Sequence, residues 1–152
     1  MQLTVEFGTR RLWLGRISRP DQFACPFCGE YALLLFAGDE PWSPAAQAEL
    51  ADRLVGSGCR YAVCAGTNSS SRDDAIDMAS VEGRPAPLVM TTWHDEPLTE
   101  VVDCFAANTR FENWRTDDYL VLLVGANDDD ERRLRELVLR RFAGPDRLLG
   151  DA

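Results

Sequence analysis

The stretch Tyr31-Ala-Leu-Leu-Leu-Phe-Ala37 is apolar at every position. A strand wetted on one face alternates polar and apolar residues, so an unbroken run of this length predicts a strand covered on both faces. Such strands belong to sheets held between layers of helix, and the rest of the chain agrees. Ser43-Pro44 supplies a helix N-cap and a proline at the first helical position. Ala46, Leu50, Ala51, Leu54 and Val55 then share one helical face, and Gly56 is placed to end it. A second run, Cys59-Arg-Tyr-Ala-Val-Cys-Ala65, leads through Gly66-Thr-Asn-Ser-Ser-Ser71 into a helix of roughly two to three turns. The third run, Pro87 to Trp93, feeds a helix from about Pro97 with the stripe Leu98, Val101, Val102, Phe105. A fourth, Tyr119 to Val124, precedes a helix from Asp128 to Phe142 that Gly144-Pro145 stops. Its first turn is acidic and its last basic, matching the helix dipole.

Apolar runs alternating with helices predict a Rossmann-like three-layer α/β sandwich on a mostly parallel sheet of about four core strands. Leu3, Val5 and Phe7 alternate with polar neighbours, as do Leu12 and Leu14, with Gly8-Thr9 between the runs. They predict an N-terminal hairpin on the sheet edge or an arm over the sheet. At 152 residues the chain is expected to form a single α/β domain. It would comprise an arm at 1–30, a βα core at 31–143 and a tail at 144–152.

The formal charge of −9 and the pI near 4.6 argue against a nucleic-acid partner, whose groove requires a basic footprint. The same charge favours encounter with a basic protein. No apolar run approaches the ~20 residues that span a bilayer, and the N-terminus lacks the basic and apolar regions of a secretory signal. A cytoplasmic protein with no membrane association is expected. Five cysteines, an odd number without scaffold spacing, read as reduced thiols.

Cys25-Pro-Phe-Cys28-Gly29 looks like half of a zinc ribbon, with Cys59 and Cys64 as a second pair. In an extended strand five residue steps span about 17 Å and odd separations point to opposite faces. Thiolates so placed cannot both lie about 2.3 Å from one zinc. The Cys-x-x-Cys also precedes its strand, whereas a redox dithiol opens a helix whose dipole activates it. No metal and no cofactor are therefore expected.

Gly66, Thr67, Ser70 and Arg72 sit in a small-residue loop entering a helix, where backbone amides and a guanidinium can hold a phosphate or carboxylate. The competing reading is serines capping a helix. The protein's single histidine, His94, closes the third run beside Asp95 and Glu96, while Cys64 nearly closes the second and Asp39 follows the first. If those strands are neighbours, Cys64, His94 and Asp95 form a candidate nucleophile, base and orienting carboxylate. Asp39, Trp93 and Glu96 then line a site for an anionic or nucleotide-like ligand. Otherwise Cys64 is a core thiol and His94 bonds Asp95 or caps a helix. Trp42, with Asp73, Asp74 and Asp77 on the second helix, forms a candidate partner face: an aromatic anchor beside carboxylates able to receive arginine.

Cys59-Arg-Tyr-Ala-Val-Cys-Ala-Gly66 and Thr91-Thr-Trp-His-Asp-Glu-Pro-Leu98 resemble a family of small bacterial proteins of unknown function. The resemblance implies a bacterial cytoplasmic setting and a Rossmann-like fold, and carries over no catalytic role. Two functions are expected of such a chain. One is a non-catalytic acidic domain that neutralises a basic protein, as immunity and antitoxin proteins do. The alternative is a small enzyme or ligand sensor at the strand-end rim around Cys64 and His94.

Overall fold

Strands that are apolar on both faces require helices on both sides, and the computed structural model, which describes residues 1–85 and 87–144, has that arrangement. Its strands are β1 (Gln2–Phe7), β2 (Arg10–Ile17), β3 (Tyr31–Ala37), β4 (Cys59–Gly66), β5 (Met90–His94) and β6 (Asp118–Val124). Its helices are α1 (Pro44–Gly56), α2 (Ser69–Glu82), α3 (Leu98–Asn108) and α4 (Asp128–Ala143). One six-stranded sheet runs in the order β1-β2-β6-β3-β4-β5. All neighbours from β2 to β5 are parallel, and β1 returns antiparallel on β2. The fold is a Rossmann-like three-layer α/β sandwich.

Two cores flank the sheet. Leu33, Leu35, Cys64, Leu120 and Leu122 meet Leu50 and Leu54 of α1 and Ile76 of α2 on one face. Leu34, Val63, Val121 and Leu123 meet Val101 and Phe105 of α3 and Leu134 and Val138 of α4 on the other. Phe105 is fully buried and meets Tyr119 edge-on, with ring centroids 5.5 Å apart. Truncating such an aromatic to alanine typically costs about 3–5 kcal/mol.

Local chemistry explains most of the helix starts. Ser43 Oγ accepts from the Ala46 N–H at 3.1 Å, with Pro44 opening α1. Asn127 and Asp130 cap α4 reciprocally, each side chain accepting from the other's N–H. The Pro97 carbonyl accepts from the N–H groups of Glu100 and Val101, so α3 begins just after the proline.

Several expectations need correction. The N-terminal segment is a hairpin, but β2 is more than an edge decoration: it pairs in parallel with β6, and Leu12 and Leu14 are buried. α2 has 14 residues rather than two to three turns. Its N-cap is Asn68 in the left-handed region (φ 53°), with no side-chain cap, so Ser69 to Ser71 form its first turn instead of capping it. β5 starts at Met90 instead of Pro87, and the Val89 N–H goes to Ser80 Oγ of α2 at 2.8 Å rather than to a ladder. A register shift between β3 and β4 sets Tyr31 opposite Cys59 but Ala32 opposite Tyr61, so one extra residue sits in β4. Cys59 and Cys64 consequently lie in the same core, not on opposite faces. The end of α4 at Gly144 is seen, while Pro145 and the rest of the expected tail lie outside the described residues.

Candidate functional site

In a parallel sheet the ligand crevice opens where successive crossovers diverge, beyond the carboxyl ends of the strands. Here that point lies between β3 and β6, since β4 and β5 continue from β3 on one side while β6 lies on the other. The crevice is filled by backbone. The Gly38 N–H donates to the Val124 carbonyl at 2.9 Å and the Glu40 N–H to the Gly125 carbonyl at 3.0 Å. A Cβ on Gly38 would overlap the backbone of Gly125 and Ala126. Glycine lets the two loops touch where related architectures hold a nucleotide.

Asp39 and Thr67 do meet at this rim: Thr67 Oγ1 donates to Asp39 Oδ1 at 2.9 Å, and the Thr67 N–H donates to the Ala37 carbonyl at 2.9 Å. Gly66 takes the left-handed φ of +86° needed for that turn, against the Ala37 carbonyl. Ser70 is exposed in the first turn of α2. Glu96 is occupied with His94, its Oε2 lying 3.1 Å from His94 Nδ1, while His94 Nε2 is 3.0 Å from Thr92 Oγ1. Asp95 is exposed.

Cys64 and His94 are on adjacent strands, but the register separates them. Cys64 is opposite Trp93, and Ala65 is opposite His94. Side chains alternate along a strand, so the thiol lies on the α1/α2 face and the imidazole on the α3/α4 face. Cys64 is fully buried, and burial followed by the charge of Asp73 pushes its thiol well above the ordinary range. A thiol so placed is a core residue that resists forming the thiolate nucleophile. Cys59 is likewise buried and shifted upward by burial. Cys25 is half-buried with its Sγ 3.6 Å from the Phe27 carbonyl, and Cys28 is exposed. Among the described residues no group of three or more His, Cys, Asp or Glu side chains is placed to hold a metal ion.

α2 carries two unusual neighbours. Arg72 is 6% exposed and its Nε has no hydrogen-bond partner among the described residues. Burial lowers its pKa, opposed by the nearby Cys64. With Trp42, Gln47 and Ile76 it lines a void of about 10 Å³, room for about one water molecule. Asp73 is 8% exposed and its Oδ1 has no hydrogen-bond partner among the described residues. Burial raises its carboxyl, Asp77 and Asp74 add to the rise, and the Thr91 hydroxyl and His94 oppose it. Asp73 therefore does not belong to a solvated acidic face, while Asp74 and Asp77 do. Trp42 is partly buried, packed against the α1/α2 core rather than projecting as an anchor.

The apolar surface lies elsewhere, where α2 meets β5. Trp93 is 52% exposed, and Met78 and Val81 of α2, Leu88 before β5 and Met90 in β5 are exposed too. Met78, Val81, Leu88 and Val89 border an open groove with Asp77 and Glu82 at its margin. Three hydrogen bonds fix β5 and its approach to α2: Thr91 Oγ1 to Asp77 Oδ1 at 2.9 Å, the Val89 N–H to Ser80 Oγ, and Ser69 Oγ to the His94 carbonyl at 3.3 Å.

Residues 15–141 match the model of a family described as Domain of unknown function (DUF7684). The chain belongs to that family. The DUF7684 match extends from within β2 into α4, so it takes in most of both cores and the α2/β5 surface and leaves β1 outside. No curated protein matches the chain. Among the described residues of this DUF7684 member no helix is long and apolar enough to cross a membrane.

Sequence reasoning placed Trp93 on the rim but missed Met78, Val81, Leu88 and Met90. In α2 the signal was present, since Met78 and Val81 are spaced i, i+3 away from the buried Ile76 and Ala79. In β5 it was hidden. An apolar run looks the same in a central strand and an edge strand, and only strand order tells them apart.

Proposed function

We propose that this protein is a non-catalytic acidic domain that docks on a more basic protein, in the manner of bacterial immunity or antitoxin proteins, within a bacterial cytoplasm. The observation that carries this reading is the apolar groove of Met78, Val81 and Leu88, with Asp77 and Glu82 at its margin, together with the exposed Trp93 and Met90 of the neighbouring β5. Contiguous exposed apolar residues rimmed by charge mark protein-interaction sites, and tryptophan is among the residues enriched at the energetic centres of interfaces. The net charge of −9 steers a basic partner toward it. Supporting this is the placement of Cys64 and His94 on opposite faces, which leaves the rim without a paired nucleophile and base.

The test uses wild-type protein and the Trp93→Glu variant as parallel baits in the native bacterium's extract, followed by stopped-flow association with any protein they distinguish. A partner held by the wild type, lost at least tenfold by the variant, and associating more slowly as salt rises supports the proposal. No partner distinguished by Trp93, or an association rate indifferent to salt, overturns it.

A second reading, a sensor of a small anionic molecule, rests on Arg72, a buried guanidinium with an unpartnered Nε near the start of α2. Thermal shift with phosphate and with short carboxylates tests it. Stabilisation that disappears in Arg72→Met supports the sensor, and equal responses of the two proteins remove it.

A further inference from the structure

The two edges of the sheet are built differently. At the β1 edge, a register irregularity between Leu3 and Val5 interrupts pairing with β2. Bulges of this kind are one of the devices that keep an edge strand from recruiting another chain. At the other edge, β5 pairs with β4 in unbroken register from Met90 to His94. Its sequence, Met-Thr-Thr-Trp-His, contains no proline, lysine or carboxylate. Among the described residues no strand pairs with its outer side. Because a strand directs alternate N–H and C=O groups to its two sides, those facing away from β4 have no ladder partner.

Apolar side chains flank this edge on both faces. Trp93 is opposite Cys64 on the α1/α2 face, and Met90 is opposite Tyr61 on the α3/α4 face. A strand laid along β5 would send successive side chains to the two faces and meet both. A helix resting on α2 would meet only one. The edge is also held in place by the bonds from Thr91 to Asp77 and from Ser69 to His94, so little ordering is required on binding. Between positions 73 and 96 the exposed ionisable residues are Asp74, Asp77, Glu82, Arg84, Asp95 and Glu96. A second copy of the chain would bring the same carboxylates against these, whereas a basic segment would neutralise them.

We infer that the β5 edge receives an extended segment of the basic partner, which adds to the six-stranded sheet as a further strand. Its arginines or lysines lie on the α1/α2 face, beside Trp93 and the carboxylates of α2, and its apolar residues lie on the other face beside Met90. The inference rests on the protein-binding reading above and specifies how binding occurs.

The probe is a blocked nine-residue peptide alternating arginine and valine, with two twins. One is N-methylated at alternate residues, keeping charge and side chains but removing backbone donors, in both of the alternating registers. The other carries glutamate in place of arginine. Binding to full-length ¹⁵N-labelled protein is followed by amide shifts and hydrogen exchange. The expected result is slowed exchange at alternate residues of β5, with at least tenfold weaker binding for one N-methylated register, for the glutamate twin and for Trp93→Ala. N-methylated peptides that bind as tightly as the parent in both registers would overturn strand addition while leaving the protein-binding patch intact. Parent binding that Trp93→Ala does not weaken and that leaves β5 amides unprotected would overturn the site itself. Failure of the parent peptide to bind also overturns the inference. If sedimentation then shows a dimer that Trp93→Glu dissociates, the edge belongs to a second copy.

Discussion

Cys64 is the register partner of Trp93, and this sets the thiol on the face of the sheet opposite the imidazole of His94. Two residues that close neighbouring strands thus contribute to different sides of the sheet, one to the α1/α2 core and one to the α3/α4 face. The same relationship places the indole of Trp93 on the α1/α2 face of the edge strand, where it is exposed. A shift of one residue in the β4–β5 register would exchange these roles.

The thiols should label in order of their burial. Cys28 is exposed and should react within minutes with a maleimide in the folded protein, whereas Cys59 and Cys64 should react only after denaturation. Mass spectrometry of peptides after timed labelling reads this directly. Rapid labelling of Cys64 in the native state would show that its strand opens to solvent.

Asp73→Asn should stabilise the protein near neutral pH. The raised pKa of Asp73 means that the folded chain binds more protons than the unfolded chain between the unfolded value, near 4, and the folded value. The contribution of Asp73 to stability is therefore greatest below that window and is lost as pH rises through it. Asparagine removes the charge-burial cost, with an expected gain on the order of 1 kcal/mol, or about 2–4 °C in Tm. Denaturation curves across acid to neutral pH should show the gain growing through the window. A variant less stable than wild type at pH 7 would mean that the charged carboxylate has a function in the folded state.

Gly66→Ala should cost about 2 kcal/mol or more, because the substitution imposes a left-handed φ on alanine and drives its Cβ into the Ala37 carbonyl. Gly29→Ala is the control, since a Cβ there meets nothing within 4 Å, and it should change stability by less than about 0.5 kcal/mol. Urea unfolding of both variants gives the comparison. Equal effects would contradict the account of the closed strand-end rim.

Thr91→Val should loosen the edge. It removes the bond to Asp77 Oδ1 while keeping the side chain's shape, at a cost of about 0.5–1.5 kcal/mol. Hydrogen exchange should accelerate in β5 before it does so in β3 or β6. Uniform acceleration across the sheet would show that β5 opens only with global unfolding.

The architecture was legible because each element carries its own local chemistry. Tyr31–Ala37 and Tyr119–Val124 are apolar throughout, Ser43-Pro44 marks a helix start, and the charge gradient of α4 matches its dipole. The less regular β5 was misplaced at its start, since Pro87 to Val89 look like strand until the Val89 N–H is seen to bond Ser80. The facing of Cys59 and Cys64 was wrong for a similar reason. One additional residue in β4 reverses the parity of everything beyond it, and no side-chain pattern announces that irregularity.

The sequence by itself determined which segments become strand or helix and that the sheet is covered on both faces. Those properties follow from hydrophobic period, caps and charge within a few residues of each position. Only the tertiary structure decided that β6 inserts between β2 and β3, that backbone fills the switch point, and that β5 is left as an open edge with Trp93 and Met90 beside it. Strand order depends on how crossovers pass over the sheet, a long-range choice encoded in the packing of distant segments, and it alone decides which apolar residues remain at the surface.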